Sequence, residues 1–268
     1  MAIQTAVNPW IERIARFGYA AKGVVYFIVG LLAMPIAFGV GSQTVGTNGA
    51  LQTIVTQPFG SSSLSVVAVG LIAYAIWRFT QAFIDPEHQG TDAKRVVKRL
   101  GYALSGLSYA GLSLTAMQII VGSEGNNSNW RQDWTAHLLA QPFGQWLVGI
   151  VGVIVLGVGF SYVYRAYTAK FRERFRLVEM SNAQLKWATR VGRYGIAARG
   201  IAFGLIGLLL IQAAVQSDSD EAQGLGGALQ TLAQEPSGRW ILGVVAVGLV
   251  AYAIHMLVLA RYRRIITR

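Results

Sequence analysis

Six apolar runs divide the chain: Gly18–Phe38, Leu64–Phe83, Leu100–Val121, Trp146–Tyr164, Gly195–Val215 and Trp240–Ala260. Each is long enough to cross a hydrocarbon core, which takes about 20 helical residues. Polar residues gather between the runs, so the pattern predicts an all-α, polytopic membrane protein with six transmembrane helices. Three shorter segments lie in alternate loops: Ala50–Val55, Trp134–Leu139 and Gly227–Leu232. Each reads as an amphipathic turn or two, stopped by a proline and followed by a glycine just before the next run. They are expected at the outer interface as clamps that orient the returning helix, with a lid over a site as the alternative. Trp130, Trp134, Trp146 and Trp240 would anchor that interface.

The runs pair into a repeating unit. Arg16-Phe17-Gly18 leads to Gly23 and Tyr26, Arg99-Leu100-Gly101 to Gly106 and Tyr109, and Arg193-Tyr194-Gly195 to Gly200 and Phe203. A second marker follows each copy: Gln57-Pro58-Phe59-Gly60, Gln141-Pro142-Phe143-Gly144 and the degraded Gln234-Glu235-Pro236-Ser237-Gly238. The intervals between Gly18, Gly101 and Gly195 match those between Gly60, Gly144 and Gly238 to within one residue. The chain is therefore one membrane domain of three tandem helical hairpins, 10–85, 95–175 and 187–264. Two spans per unit give all three the same orientation, related by an axis along the membrane normal, and predict a pseudo-threefold bundle. Near the basic end of the second spans, Gly70, Tyr74 and Trp77 pair with Gly248, Tyr252 and His255. In the middle copy an insertion of three residues is expected to shift the register to Gly157, Ser161 and Tyr164.

Charge placement sets the topology. All but two of the 23 Lys and Arg residues fall on one side of the spans; Arg131 and Arg239 are the exceptions. Positively charged loops stay in the cytoplasm, which places both termini and the linkers Asp85–Lys98 and Ala166–Arg193 there. The composition agrees: 53% hydrophobic, 13% charged and a mean hydropathy of +0.44. The pI near 10.2 follows from the topology and calls for no nucleic acid partner. The basic face should instead attract anionic lipid headgroups, and a membrane-protein partner is a further expectation. Within the second linker, Lys170-Phe171-Arg172-Glu173-Arg174-Phe175-Arg176 interleaves bases with aromatics and reads as a helix lying along the inner leaflet.

Small residues let membrane helices approach until their backbones touch. Gly18, Gly23, Gly101, Gly106, Gly195 and Gly200 are the expected packing positions. Lys22 and Arg199 occupy equivalent repeat positions, each a turn or so inside its span, with Ser105 in the middle copy. Ionisable groups at such depth are costly and face water, protein or an anionic partner. Snorkelling to the nearby headgroups is the first expectation for both. The other is a basic pocket for a lipid phosphate or anionic solute, which Arg78 and Arg165 could complete.

No catalytic pattern stands out. The chain has 0 Cys, which removes thiolate chemistry, and its 3 His are scattered. There is no strained nucleophile turn, no Walker-type phosphate loop and no paired histidines four apart on a helix. No catalytic residue, cofactor site or metal site is assigned, and the chain is expected not to be an enzyme.

The Arg-x-Gly-x-x-x-x-Gly-x-x-aromatic triplet, each copy followed by a Gln-Pro-Phe-Gly-like element and a second span, resembles the bacterial membrane family catalogued as domain of unknown function 1206. The resemblance runs from Trp10 to about Arg264 and implies tandem two-helix repeats in a membrane. Phe203 and the degenerate Glu235-Pro236-Ser237-Gly238 depart from the pattern, and no activity comes with it. The expected function is a non-catalytic scaffold, or a protein binding lipids or partners. A channel or carrier for a small anionic solute or lipid is the alternative.

Overall fold

The computed structural model describes residues 9–38, 46–83, 93–122, 137, 141, 143–175, 179–216, 225–234 and 238–263. Among them are eight α-helices: α1 (Pro9–Ala37), α2 (Thr47–Val55), α3 (Gly60–Phe83), α4 (Ala93–Ile120), α5 (Gly144–Thr168), α6 (Asn182–Gln216), α7 (Leu225–Gln234) and α8 (Gly238–Tyr262). Six of these, α1, α3, α4, α5, α6 and α8, are long and apolar enough to span a membrane. Helices suit that setting because every mid-helix backbone group is bonded within its own segment. α2 and α7 are the first and third of the predicted amphipathic segments. The middle one lies outside the described residues except for His137, and so do Trp130 and Trp134.

The Gln-Pro-Phe-Gly marker is a tight turn into the second span. The Gly60 N–H donates to the Gln57 carbonyl at 2.8 Å, and the Gly144 N–H to that of Gln141 at 2.9 Å. Phe59 and Phe143 hold φ of 59° and 66°. Proline second and a left-handed residue third is the pattern of a type II turn. A left-handed phenylalanine costs about 1–2 kcal/mol. The geometry is enforced by its neighbour: a Cβ on Gly60 would lie 2.0 Å from the Val55 carbonyl oxygen.

Around the bundle the spans follow chain order: α1 packs on α3, α3 on α4, α5 on α6, α6 on α8, and α8 back on α1. The first span of each repeat thus packs against the second span of the preceding repeat, in all three cases. Gly23 meets Ala253 and Leu257, Gly106 meets Phe79, and Gly200 meets Gly159 and Val163. Counted from Gly60, Gly144 and Gly238, the residues Phe79, Val163 and Leu257 hold one and the same place. The pseudo-threefold relation therefore holds between repeats. It also corrects the expected insertion: the register runs unshifted, and Ile154, Val158 and Ser161 stand where Gly70, Tyr74 and Trp77 stand in the first copy.

The motif arginines reinforce these contacts. Arg16 donates to the carbonyls of Ala260 and Arg261 at the end of α8. Arg99 does the same to Ala82 at 2.6 Å and Phe83 at 3.0 Å at the end of α3. A cation at these positions satisfies the orphan carbonyls and complements the negative end of the helix dipole.

Within repeats the symmetry breaks. In the first and third hairpins the two spans touch backbone to backbone. A Cβ on Gly18 would lie 2.6 Å from the Tyr74 Cα, and one on Gly195 only 2.3 Å from the Tyr252 nitrogen. Next to these contacts Gly70 faces Ala21 and Gly248 faces Ala198. The middle repeat has Leu104 in place of the alanine and Ile154 in place of the glycine, two side chains where the others have almost none. Its spans α4 and α5 barely touch, Leu104 and Ile154 are 63% and 56% exposed, and nothing lies within 4 Å of a Cβ built on Gly101. Gly101, expected as a packing position, packs against nothing among the described residues. α4 and α5 are also the least protein-covered spans, 28% and 17% buried against 44–56% for the other four.

Alanine substitutions separate these positions. Gly18→Ala and Gly195→Ala should each destabilise the protein by about 1–3 kcal/mol through overpacking. Gly101→Ala should be neutral or stabilising by about 0.5–1 kcal/mol, because alanine is the better helix former. Thermal unfolding in detergent micelles reads the difference as a lowered Tm for the first two and an unchanged or raised Tm for the third.

Candidate functional site

Lys22 and Arg199 do not snorkel. They are 1% and 5% exposed and turn inward to an aromatic cage between the hairpins. The Lys22 Nζ donates to the Tyr74 hydroxyl at 2.9 Å and lies 4.5 Å and 4.8 Å from the ring centres of Tyr74 and Tyr109. Tyr252 and Tyr26 stand at 5.7 Å and 5.9 Å. Arg199 donates to the Tyr252 hydroxyl, its Cζ 4.7 Å from that ring and 5.1 Å from Tyr26. Tyr162 and Phe203 close on it at 5.2 Å. Tyr26 and Tyr252, edge to face at 5.0 Å, thus stand between the two cations and touch both.

A third base joins them. Arg78 Nε donates to the Tyr74 hydroxyl at 2.8 Å and its Nη1 to the Gln81 Oε1 at 3.0 Å. The Tyr74 hydroxyl therefore accepts from both Lys22 and Arg78. Arg165, the fourth expected member, is exposed and stands outside the cage, its Cζ 6.0 Å from the Tyr162 ring. Ser105, the middle copy's counterpart of Lys22 and Arg199, is half-buried. Every one of the six spans contributes: Lys22 and Tyr26 from α1, Tyr74 from α3, Tyr109 from α4, Tyr162 from α5, Arg199 from α6 and Tyr252 from α8.

The charge is lopsided. Apart from Glu12 in the first turn of α1, no Asp or Glu occurs in any of the six spanning helices. Glu12 is itself paired with Arg16 at 2.6 Å. The caged cations are held by neutral hydroxyls and ring faces, each face contributing about 0.5–2 kcal/mol. The Arg199 Nε is buried with no hydrogen-bond partner. Three basic groups with unspent donors and no counter-charge are suited to a phosphate or carboxylate, which guanidinium and ammonium groups bind through short charge-assisted bonds.

Protein covers the cage at both ends. After α5, Ala169 turns left-handed (φ 51°) into a 3-10 turn, Lys170–Arg174. Phe171 and Phe175 are buried, stacked edge-on to His255 at 5.1 Å and 5.9 Å. The Phe171 ring also fills the space at Gly192. This linker is expected as a leaflet-lying helix; its aromatics instead plug the basic end, where the bundle buries them against His255. Phe175 pairs antiparallel with Arg263, whose Cζ lies 4.8 Å over Tyr19 and 5.5 Å over Trp77. Just past the last span, burial draws the Arg263 guanidinium down to about 10, leaving it charged at neutral pH. At the opposite end α2 and α7 meet and bury Leu51 and Leu229 completely or nearly so. They cover the bundle end as well as clamping the returning spans.

The cage was visible in the sequence only in part. Lys22 and Tyr26, Ser105 and Tyr109, and Arg199 and Phe203 are each four residues apart, the spacing that stacks side chains on one helix face. That signal was available for Tyr26, Tyr109 and Phe203. Tyr162 offered none, since it stands in the place of Arg78. Among the described residues no three His, Cys, Asp or Glu side chains gather as metal ligands.

Tyr74→Phe tests the cage. It strips the shared acceptor from Lys22 and Arg78, leaving buried donors unpaired at about 1–3 kcal/mol each. A clear fall in Tm in detergent is expected. Tyr164→Phe, at an exposed ring, should leave Tm unchanged.

The threefold repeat agrees with what known proteins show. The family described as Domain of Unknown Function (DUF1206) matches three stretches in tandem, residues 17–85, 100–169 and 194–263. An uncharacterized protein of Bacillus subtilis (strain 168), YxxB, is 35% identical over 261 residues, covering 97% of this chain and 94% of its own length. No solved structure matches. With three of its repeats, nearly end to end, built on the same two-span pattern, this chain belongs to the DUF1206 family.

Proposed function

We propose that this protein is a non-catalytic membrane protein that holds an anionic, phosphate-class group among Lys22, Arg78 and Arg199. The observation that carries the reading is the acid-free cage, with three cations converging on two tyrosine hydroxyls and a buried, unpartnered Arg199 Nε. Evolution toward stability alone would favour apolar residues here, because buried charges are seldom worth their desolvation. A bound anion restores the balance. The covered ends, with Phe171 and Phe175 on one side and α2 and α7 on the other, favour holding an anion over conducting one. The positive-inside rule supports placing the basic end in the cytoplasm of a bacterial plasma membrane. Its exposed bases would add peripheral attraction for anionic lipid or a membrane-protein partner.

Native mass spectrometry of the full chain in mild detergent tests this with three separate probes: phosphatidylglycerol, phosphatidylcholine and inorganic phosphate. Phosphatidylglycerol should be retained in preference to phosphatidylcholine. The double variant Lys22→Met, Arg199→Met should lose about tenfold or more of that affinity, the loss of one or two charge-assisted bonds. Saturable binding of inorganic phosphate, removed by the same variant, would move the occupant to a soluble anion. Equal retention of both lipids, unchanged by the variant, would overturn the reading.

A further inference from the structure

We infer that the open seam between α4 and α5 is a lateral doorway through which an anionic phospholipid places its phosphate in the cage and rests its acyl chains on the seam. The inference rests on the anion-binding reading above and adds the ligand's chemistry and its route. In the first and third repeats the equivalent interface is sealed, by Gly18 on the Tyr74 backbone and by Gly195 on that of Tyr252. In the middle repeat Leu104, Ile154 and Val158 take the places of Ala21, Gly70 and Tyr74, and α4 and α5 barely touch. Leu104, Leu107, Ile154 and Val158 are all exposed. They form an apolar surface at the depth of the spans, where hydrocarbon is the solvent.

Both helices of this surface also reach the cage. Tyr109 on α4 faces the Lys22 ammonium, and Tyr162 on α5 faces the Arg199 guanidinium. Ser105, half-buried on α4, replaces the third cation with a small hydroxyl. With aromatic residues packed under one end and two helices over the other, the remaining approach is sideways from the membrane. A molecule arriving that way must be apolar along most of its length, and it must end in an anion to satisfy Lys22 and Arg199. A phospholipid with net negative charge meets both conditions. A free anion meets only the second, and a helix of another protein brings no phosphate.

The test uses the full chain in nanodiscs containing phosphatidylglycerol with a photoreactive diazirine in one acyl chain. Adducts mapped by peptide mass spectrometry should concentrate on Leu104, Leu107, Ile154 and Val158, and unlabelled phosphatidylglycerol should compete them away. The exposed face of α3, with Val66, Val69 and Ile76, is the internal reference. Leu104→Trp, a bulky side chain at an exposed position, should reduce seam labelling several-fold with Tm unchanged. Labelling spread evenly over seam and reference, or unaffected by Leu104→Trp, would overturn the doorway while preferential phosphatidylglycerol retention by native mass spectrometry left the cage reading standing. Equal retention of both lipids with no saturable binding of inorganic phosphate would overturn both. A Leu104→Cys variant of this cysteine-free chain adds one more outcome. Efficient disulfide-linked pairs at high lipid-to-protein ratio would assign the seam to a second copy and overturn the lipid proposal.

Discussion

The contact of Gly18 with the backbone of Tyr74, and its twin of Gly195 with Tyr252, underlies both the bundle and its chemistry. Without water to drive helices together, spans in lipid associate through close van der Waals approach. A hydrogen in place of a side chain is what allows α1 to reach α3 and α6 to reach α8. That same approach brings the two tyrosines inward, where their hydroxyls meet Lys22 and Arg199. Packing and polar recognition are therefore one construction. The cations are tolerated because the rings that receive them are fixed by backbone contact.

Triplication explains why the protein is nearly symmetric, and substitution explains why it is not quite so. The interface between successive repeats recurs three times with glycine against a small or flat partner, braced in two of them by Arg16 and Arg99 on the carbonyls of the neighbouring helix. The interface within repeats recurs only twice. Two side chains decide the exception: Leu104 and Ile154 stand where the other repeats have alanine and glycine, and their volume holds the middle pair apart. The middle copy also gives up its cation for Ser105. One repeat has thus diverged where the other two pack their spans and place their cation, and its divergence leaves Leu104, Ile154 and Val158 exposed on that side.

The short segments complete the enclosure. α2 and α7 cover one end, while the linker following α5 turns back to bury Phe171 and Phe175 beneath His255. The Gln-Pro-Phe-Gly turn makes the first of these possible, holding Phe59 left-handed so that Gly60 can sit on the Val55 carbonyl. A repeated motif that reads as a simple helix stop is a strained corner that seats a short helix against the spans.

Hydropathy, charge asymmetry and the paired glycines were sufficient in the sequence for six spans, three hairpins in one orientation and the threefold relation between repeats. These properties follow from the solvent and the repeat: a hydrocarbon layer fixes span length, and two spans per unit bring the chain back to the side from which it started. The direction of Lys22 and Arg199 was not legible, because helix position gives depth but not which face meets a neighbour. Snorkelling is the cheaper expectation from sequence, but tyrosines from all three hairpins occupy the space around them. The seam was hidden for a related reason. Gly101 keeps its motif place, and its lack of a partner depends on the bulk of Leu104 and Ile154, which stand on two different helices. The sequence by itself determined which segments cross and how often the unit recurs. Tertiary structure alone decided which of those segments touch, since contact between spans is set by the summed volume of both faces and no single helix carries that sum.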